Sequence, residues 1–220
     1  MFRLNTDIDI TDDMDEQENT DMNADTQSAR NYIRKFEELT KNDVPIAGGK
    51  GANLGELTHA DAPVPPGFAV TSMTFDKFLK DTGLNSRITN RISKLDVDNT
   101  KELRSISQEL QSMIMASHLP DDMRRSIAES YKELSEREGK KDPFVAVRSS
   151  ATAEDTADTS FAGMNETFLN IKGEDKLIDA VKRCWASMYG ARVLFYRSKQ
   201  NVPEEKMSIA AIVQTMVVSE

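Results

Sequence analysis

Two short segments, about a hundred residues apart, each set one cation inside a run of small residues. The first is Gly48-Gly49-Lys50-Gly51-Ala52-Asn53-Leu54-Gly55-Glu56. The second is Val145-Ala146-Val147-Arg148-Ser149-Ser150-Ala151-Thr152-Ala153-Glu154-Asp155. Small side chains let backbone N–H groups approach an anion closely, and the cation supplies charge. A fold that brings the two segments together builds a polyphosphate site from distant parts of the chain.

The stretches around these segments alternate between helix and strand signals. Residues 31–41 fit either a short strand with a turn or a helix, and Asp43-Val44-Pro45 interrupts whatever precedes it. Gly49 to His59 reads as a helix whose first turn is the glycine cluster. Pro63, Pro65 and Pro66 enforce an extended turn before a short buried strand, Gly67-Phe68-Ala69-Val70. Thr71 or Ser72 can cap a helix that runs through Phe75, Phe78 and Leu79 to Gly83. Residues 85–138 read as mostly helical, with Leu103, Ile106, Leu110, Met113 and Ile114 in one stripe and Pro120 separating a second helix, Asp121–Glu138. Pro143 precedes a strand-forming run, Phe144-Val145-Ala146-Val147, so Arg148 is expected at or just past a strand end. A small, polar loop spans Asp155 to Gly163. A strand at Glu166–Ile171, helices near 174–188 and 190–200, and a strand at Met207–Val218 follow. Strands falling between helices give an α/β or α+β class.

Charge narrows the function. The formal net charge is -9, but residues 1–25 hold nine acids and one base, Arg3, which leaves -1 for residues 26–220. A nearly neutral body argues against a general nucleic-acid binder. The acidic segment, drawn as residues 1–30, lacks apolar periodicity and is expected to be disordered, with the folded portion over 31–220. It has no secretory pattern, and no apolar run is long enough to span a membrane. Cys184 is the one cysteine, which fits a reducing cytoplasm and reads as a small core residue.

Several residues are candidates for chemistry, each with a plainer alternative. Lys50 beside a helix N-terminus suits phosphate, because unpaired N–H groups and a mobile charge converge there. The spacing is not that of a Walker A loop, since Gly51 follows the lysine and Val44 stands where the first glycine would be. The alternative is a glycine-rich turn with an exposed lysine. Arg148 offers a planar donor fork beside Ser149, Ser150 and Thr152, or a structural ion pair with Glu154 or Asp155. Gly163 in Ser160-Phe161-Ala162-Gly163, with Thr167 after it, suits a loop that covers phosphates, or a plain connection. Gln214, a polar amide in an apolar strand, needs a partner: an adenine edge or a neighbouring backbone group. His59 and His118 are isolated and read as surface residues, with no second ligand at metal spacing.

Taken jointly, these motifs resemble the N-terminal ATP-binding domain of the phosphoenolpyruvate synthase and pyruvate, phosphate dikinase family, pyruvate, water dikinase most of all. The resemblance rests on Gly48 to Leu57, Pro63 to Phe68, Val147 to Asp155, Ser160 to Asn170 and Val213 to Val217, in the family's order over residues 32–220. A glycine usual in the family is replaced within Ala60-Asp61-Ala62, an expected change to a surface turn. The resemblance implies an ATP-grasp fold with a helical insert. It implies that ATP is split and a phosphoryl group moved to a histidine on a separate carrier domain, then to pyruvate, or to rifampin in a related branch. By motif, Lys50 and Arg148 contact the phosphates and are the catalytic candidates. Gly163 and Thr167 lie in the covering loop, and Gln214 lies near adenine. Residues that hold Mg2+ come later in the family, as do the carrier histidine and the pyruvate-binding domain. These partners are therefore expected on a companion chain or a further C-terminal region, and this chain alone is expected to be inactive. The alternative function is a non-catalytic nucleotide- or partner-binding module.

Overall fold

The computed structural model describes residues 32–152, 165–200, 202 and 207–217. The acidic segment 1–30 and the expected loop with Glu154, Asp155 and Gly163 lie outside them. A five-stranded sheet organises the chain, with strand order β1-β2-β5-β3-β4 and every neighbouring pair antiparallel. The strands are β1 Ile33–Lys35, β2 Gly67–Val70, β3 Val145–Ala151, β4 Thr167–Ile171 and β5 Ile209–Thr215. The helices are α1 Val44–His59, α2 Ser72–Asp81, α3 Leu84–Ile92, α4 Thr100–Ala116, α5 Asp121–Glu138, α6 Glu174–Ser187 and α7 Ala191–Lys199. The wholly antiparallel pairing makes the chain α+β.

Local signals explain most boundaries. Thr71 caps α2, its side chain accepting from the Thr74 N–H, and Asn99 caps α4 through the Glu102 N–H. Gly139, at φ 61°, ends α5 in the left-handed conformation that an L side chain disfavours. The strand alternative holds at 31–41, where β1 runs into two short 3-10 turns, Phe36–Glu38 and Lys41–Asp43. Asp61 adopts φ 54° in the turn after α1, where the family resemblance leads one to expect a glycine. A short aspartate side chain tolerates that conformation.

Alternation along the strands splits the sheet into two faces with separate cores. Phe68, Val70, Val145, Val147, Ile209, Ala211 and Val213 face the helical layer, where α6 contributes the fully buried Trp185 and α2 stacks Phe75 and Phe78 against it. Ala69 and Ile212 face the other way, into a smaller core with Phe36, Leu39 and Ala47. Helix α1 covers this second face. Its buried residues are Ala47, Gly48, Gly49, Gly51, Ala52 and Gly55, a small-residue side that brings backbone close to the sheet. A Cβ at Gly51 would stand 3.1 Å from Ile212 Cδ1. Among the described residues no helix is long and apolar enough to cross a membrane.

Candidate functional site

The site is built where α1 meets β3. The glycine cluster bends α1: Gly48 has φ 65° and ψ 174°, outside the helical region, so the regular helix resumes at Gly49 and Lys50 lies in its first turn. The first N–H groups of a helix have no partner within it. The Lys50 N–H is instead taken by a side chain from β3, donating to Ser150 Oγ at 3.2 Å. Gly48 is what permits this approach. A Cβ there would fall 2.2 Å from Ser150 Oγ and 2.6 Å from the Ser150 carbonyl oxygen. The two sequence segments are therefore in direct contact, with Lys50 half-buried at the junction.

Strand register assembles the rest. Arg148 pairs with Ile212, Ile212 with Ala69, and Arg148 with Thr167 on the other side. Directly opposed residues share a face. Arg148 and Thr167 thus lie on the face that α1 covers, one pleat from Ser150 on the same strand. Gln214 pairs with Ala146 and Gly67 in the next row of that face. Arg148, Thr167, Gln214 and the Lys50 junction are brought together on one side of the sheet. Gly163, also expected there, lies outside the described residues.

Two expectations need correction or refinement. Arg148 is not at a strand end: it is the fourth of seven residues in β3, and the ladder with β5 continues through Ser149, Ser150 and Ala151. Ser149 and Ser150, beyond the apolar run from which the strand end was inferred, pair with Ala211 and Ala210. Gln214 takes the backbone partner, its Nε2 donating to the Pro65 carbonyl at 3.2 Å. That bond ties the proline turn to β5, helped by Thr215, whose N–H and hydroxyl both reach the Pro66 carbonyl.

Ser149 and Ser150 divide roles that the sequence merged into a single hydroxyl cluster. Ser150 holds α1. Ser149, on the opposite face and fully buried, accepts from the Glu166 N–H at 2.8 Å, and its own N–H donates to the Glu166 carbonyl. Thr152 closes the other side: its N–H and hydroxyl donate to the Ser208 carbonyl, and its hydroxyl oxygen accepts from the Ser208 N–H. The chain is thus anchored on both sides of residues 153–164. Strand alternation through two consecutive serines is the signal that could have revealed this split.

The helical layer closes the rear of the sheet without adding reactive groups. Burial pushes the Cys184 thiol well above its ordinary pKa, Glu166 adds to the rise and Lys50 opposes it. His59 and His118 are exposed, with Nε2 of His59 near the Glu37 carbonyl and Nε2 of His118 near Asp121. Among the described residues no group of three His, Cys, Asp or Glu side chains is placed to hold a metal ion.

A helix start docked beside an arginine-bearing strand is an arrangement suited to phosphates. Comparison with known proteins gives that arrangement a family. The pyruvate phosphate dikinase, AMP/ATP-binding domain family matches residues 44–220. The chain belongs to this family. It is 53% identical over 189 residues to a probable phosphoenolpyruvate synthase of Methanothermobacter thermautotrophicus, covering 86% of this chain and 28% of that protein. It is 42% identical over 224 aligned residues to the phosphoenolpyruvate synthase of Pyrococcus furiosus, covering 87% of this chain and 27% of that protein. It is 48% identical over 183 residues to a probable phosphoenolpyruvate synthase of Archaeoglobus fulgidus, covering 83% and 24% respectively. The chain spans about a quarter of the length of these relatives. The family match takes in Lys50, Arg148, Thr167 and Gln214, the residues that share one side of the sheet.

Proposed function

We propose that this chain is the ATP-binding part of a phosphoenolpyruvate synthase-like phosphotransferase. In this reading the nucleotide lies against the sheet face of Arg148, with its phosphates between that guanidinium, Lys50 and the start of α1. Thr167 stands beside them as a hydroxyl, Gly163 belongs to a covering loop, and Gln214 faces the base. The reaction converts ATP, pyruvate and water to phosphoenolpyruvate, AMP and phosphate, through a phosphohistidine on a separate carrier domain. The whole has an ATP-grasp architecture and acts in the cytoplasm. Mg2+ accompanies the phosphates, with its protein ligands outside the residues described here. That ion would neutralise charge developing on the phosphates.

The observation that carries this reading is the contact between the Lys50 N–H and Ser150 Oγ, two residues along β3 from Arg148. It sets the start of α1, which carries Lys50, against the strand that carries Arg148. Phosphates favour such a place because positive ends of backbone dipoles and charge-assisted donors converge there.

The test is calorimetric titration of this chain with ATP and with AMP, both with Mg2+, taken to millimolar ligand. A charge-assisted contact contributes about 1.5–3 kcal/mol, so Lys50→Ala and Arg148→Ala should each weaken ATP binding by roughly ten- to hundred-fold. AMP, which lacks the outer phosphates, should lose far less. The Lys50→Ala variant keeps the backbone bond to Ser150 that docks α1 on β3. Equal losses for ATP and AMP, or none for either, would reject the phosphate assignment.

A further inference from the structure

One charged side chain is buried in the wrong environment for a charge. Arg197, on α7, is only 6% exposed. It shares the inward side of that helix with Val193 and Leu194, at the spacing where a core residue belongs. Its Nε is buried with no hydrogen-bond partner. Among the described residues its guanidinium forms no ion pair. Asp98, next to the cleft residue Val97, is held by Lys199 at 2.7 Å. An arginine cannot shed its proton to escape burial, and buried charges are otherwise paired.

The surroundings say what kind of partner is missing. Arg197 and Ser198 line a cleft of about 270 Å³ with Ile92, Leu95, Val97, Leu194 and Val202. The cleft is formed by α7, the end of α3 and the connection that follows it. Among the described residues the walls are mostly aliphatic, and the one charged lining residue is Arg197.

We propose that this cleft is a binding site for a small aliphatic monocarboxylate. The planar guanidinium matches the two oxygens of a carboxylate. The aliphatic walls accept a short branched or straight hydrocarbon body, and the volume limits that body to a few carbons. A phosphate group fits worse, since its third oxygen and second charge would be set against Leu95, Val97 and Leu194. The cleft lies in the helical layer, which covers the sheet face opposite to Arg148. Its ligand is therefore distinct from the nucleotide, and the site does not depend on the nucleotide reading.

Thermal unfolding of the full 220-residue chain tests this, with isovalerate as probe, isovaleramide as its neutral counterpart and inorganic phosphate as the competing anion. At about ten times its Kd, isovalerate should raise Tm by roughly 3–6 °C, while isovaleramide and phosphate should not. Arg197→Met should weaken isovalerate binding about tenfold or more. It should leave the unliganded Tm unchanged or higher, because an apolar side chain of similar length replaces a buried charge that has no ion-pair partner among the described residues. Val97→Trp, which fills the cleft and keeps the arginine, should abolish the isovalerate shift and decides the matter if Arg197→Met does not fold. An equal shift from isovaleramide or phosphate would overturn the proposal. So would a persisting isovalerate shift in either variant. A large fall in Tm for Arg197→Met that Glu204→Gln or Glu205→Gln reproduces would also overturn it, since the guanidinium would then be held by the protein's own carboxylates.

Discussion

Replacing Gly48 by alanine should damage the chain more than any exposed glycine substitution, for two separable reasons. The first is conformational. At φ 65° and ψ 174° the residue occupies a region open essentially to glycine alone, and a side chain there costs about 1–3 kcal/mol. The second is steric. The new Cβ would stand 2.2 Å from Ser150 Oγ and 2.6 Å from the Ser150 carbonyl oxygen. The hydroxyl can rotate away, but the carbonyl belongs to β3, which at Ser150 is paired with Ala210 of β5, so overpacking adds about 1–3 kcal/mol. The total is roughly 2–6 kcal/mol, or a fall in Tm of about 4–24 °C for a chain of this size. Gly83→Ala is the control. Gly83 has φ 67° and ψ 13°, and a Cβ there meets nothing within 4 Å, so only the left-handed penalty of about 1–2 kcal/mol applies. Adding Ser150→Ala to Gly48→Ala should recover part of the loss, because one of the two clashes goes with the hydroxyl. Urea unfolding of the four proteins measures all of this. Equal destabilisation by Gly48→Ala and Gly83→Ala would refute the close approach of α1 to β3, and with it the geometry of the site.

Cys184 should resist a thiol reagent in the native chain and react once it is unfolded, because it is fully buried and its thiol pKa is raised; fast labelling of the folded protein would contradict this. Lys182 donates to the Met115 and Ser117 carbonyls, both at 2.7 Å, at the end of α4, so Lys182→Met should lower stability by about 1–2 kcal/mol in urea unfolding. Burial lowers the Lys182 pKa, with Asp179 opposing, so the unfolded chain binds more protons between that lowered value and 10.5. Stability should therefore rise with pH across that window, and the Lys182→Met variant should lack that part of the rise.

Elements with strong local patterns were readable from sequence, and those fixed by distant partners were not. Helix α4 carries its own cap and apolar stripe, and the Thr71 cap of α2 needs only the next three residues. Strand β1 has three residues, too few for a period. What makes it a strand is pairing with β2, more than thirty residues away. The end of β3 likewise depends on a distant partner. Ser149, Ser150 and Ala151 have weak strand preference alone, and they extend the strand because Ile209 to Ala211 lie alongside.

The mid-strand position of Arg148 bears on how the candidate site is held. Had β3 ended at Arg148, the arginine would sit on a loop, and its direction would depend on that loop. In mid-strand its backbone is fixed by β5 on one side and β4 on the other. The next two residues then point to opposite faces, as the pleat requires. Ser150 takes the α1 side and captures the Lys50 N–H, while Ser149 takes the rear and captures the Glu166 N–H. One rigid strand thereby sets three positions at once: the guanidinium, the start of the helix that carries the lysine, and the return point of the chain after residue 164. A site placed on a paired strand is held more closely than one placed on a loop. The placement of the Lys50 and Arg148 backbones relative to each other therefore follows from β-sheet register and one glycine.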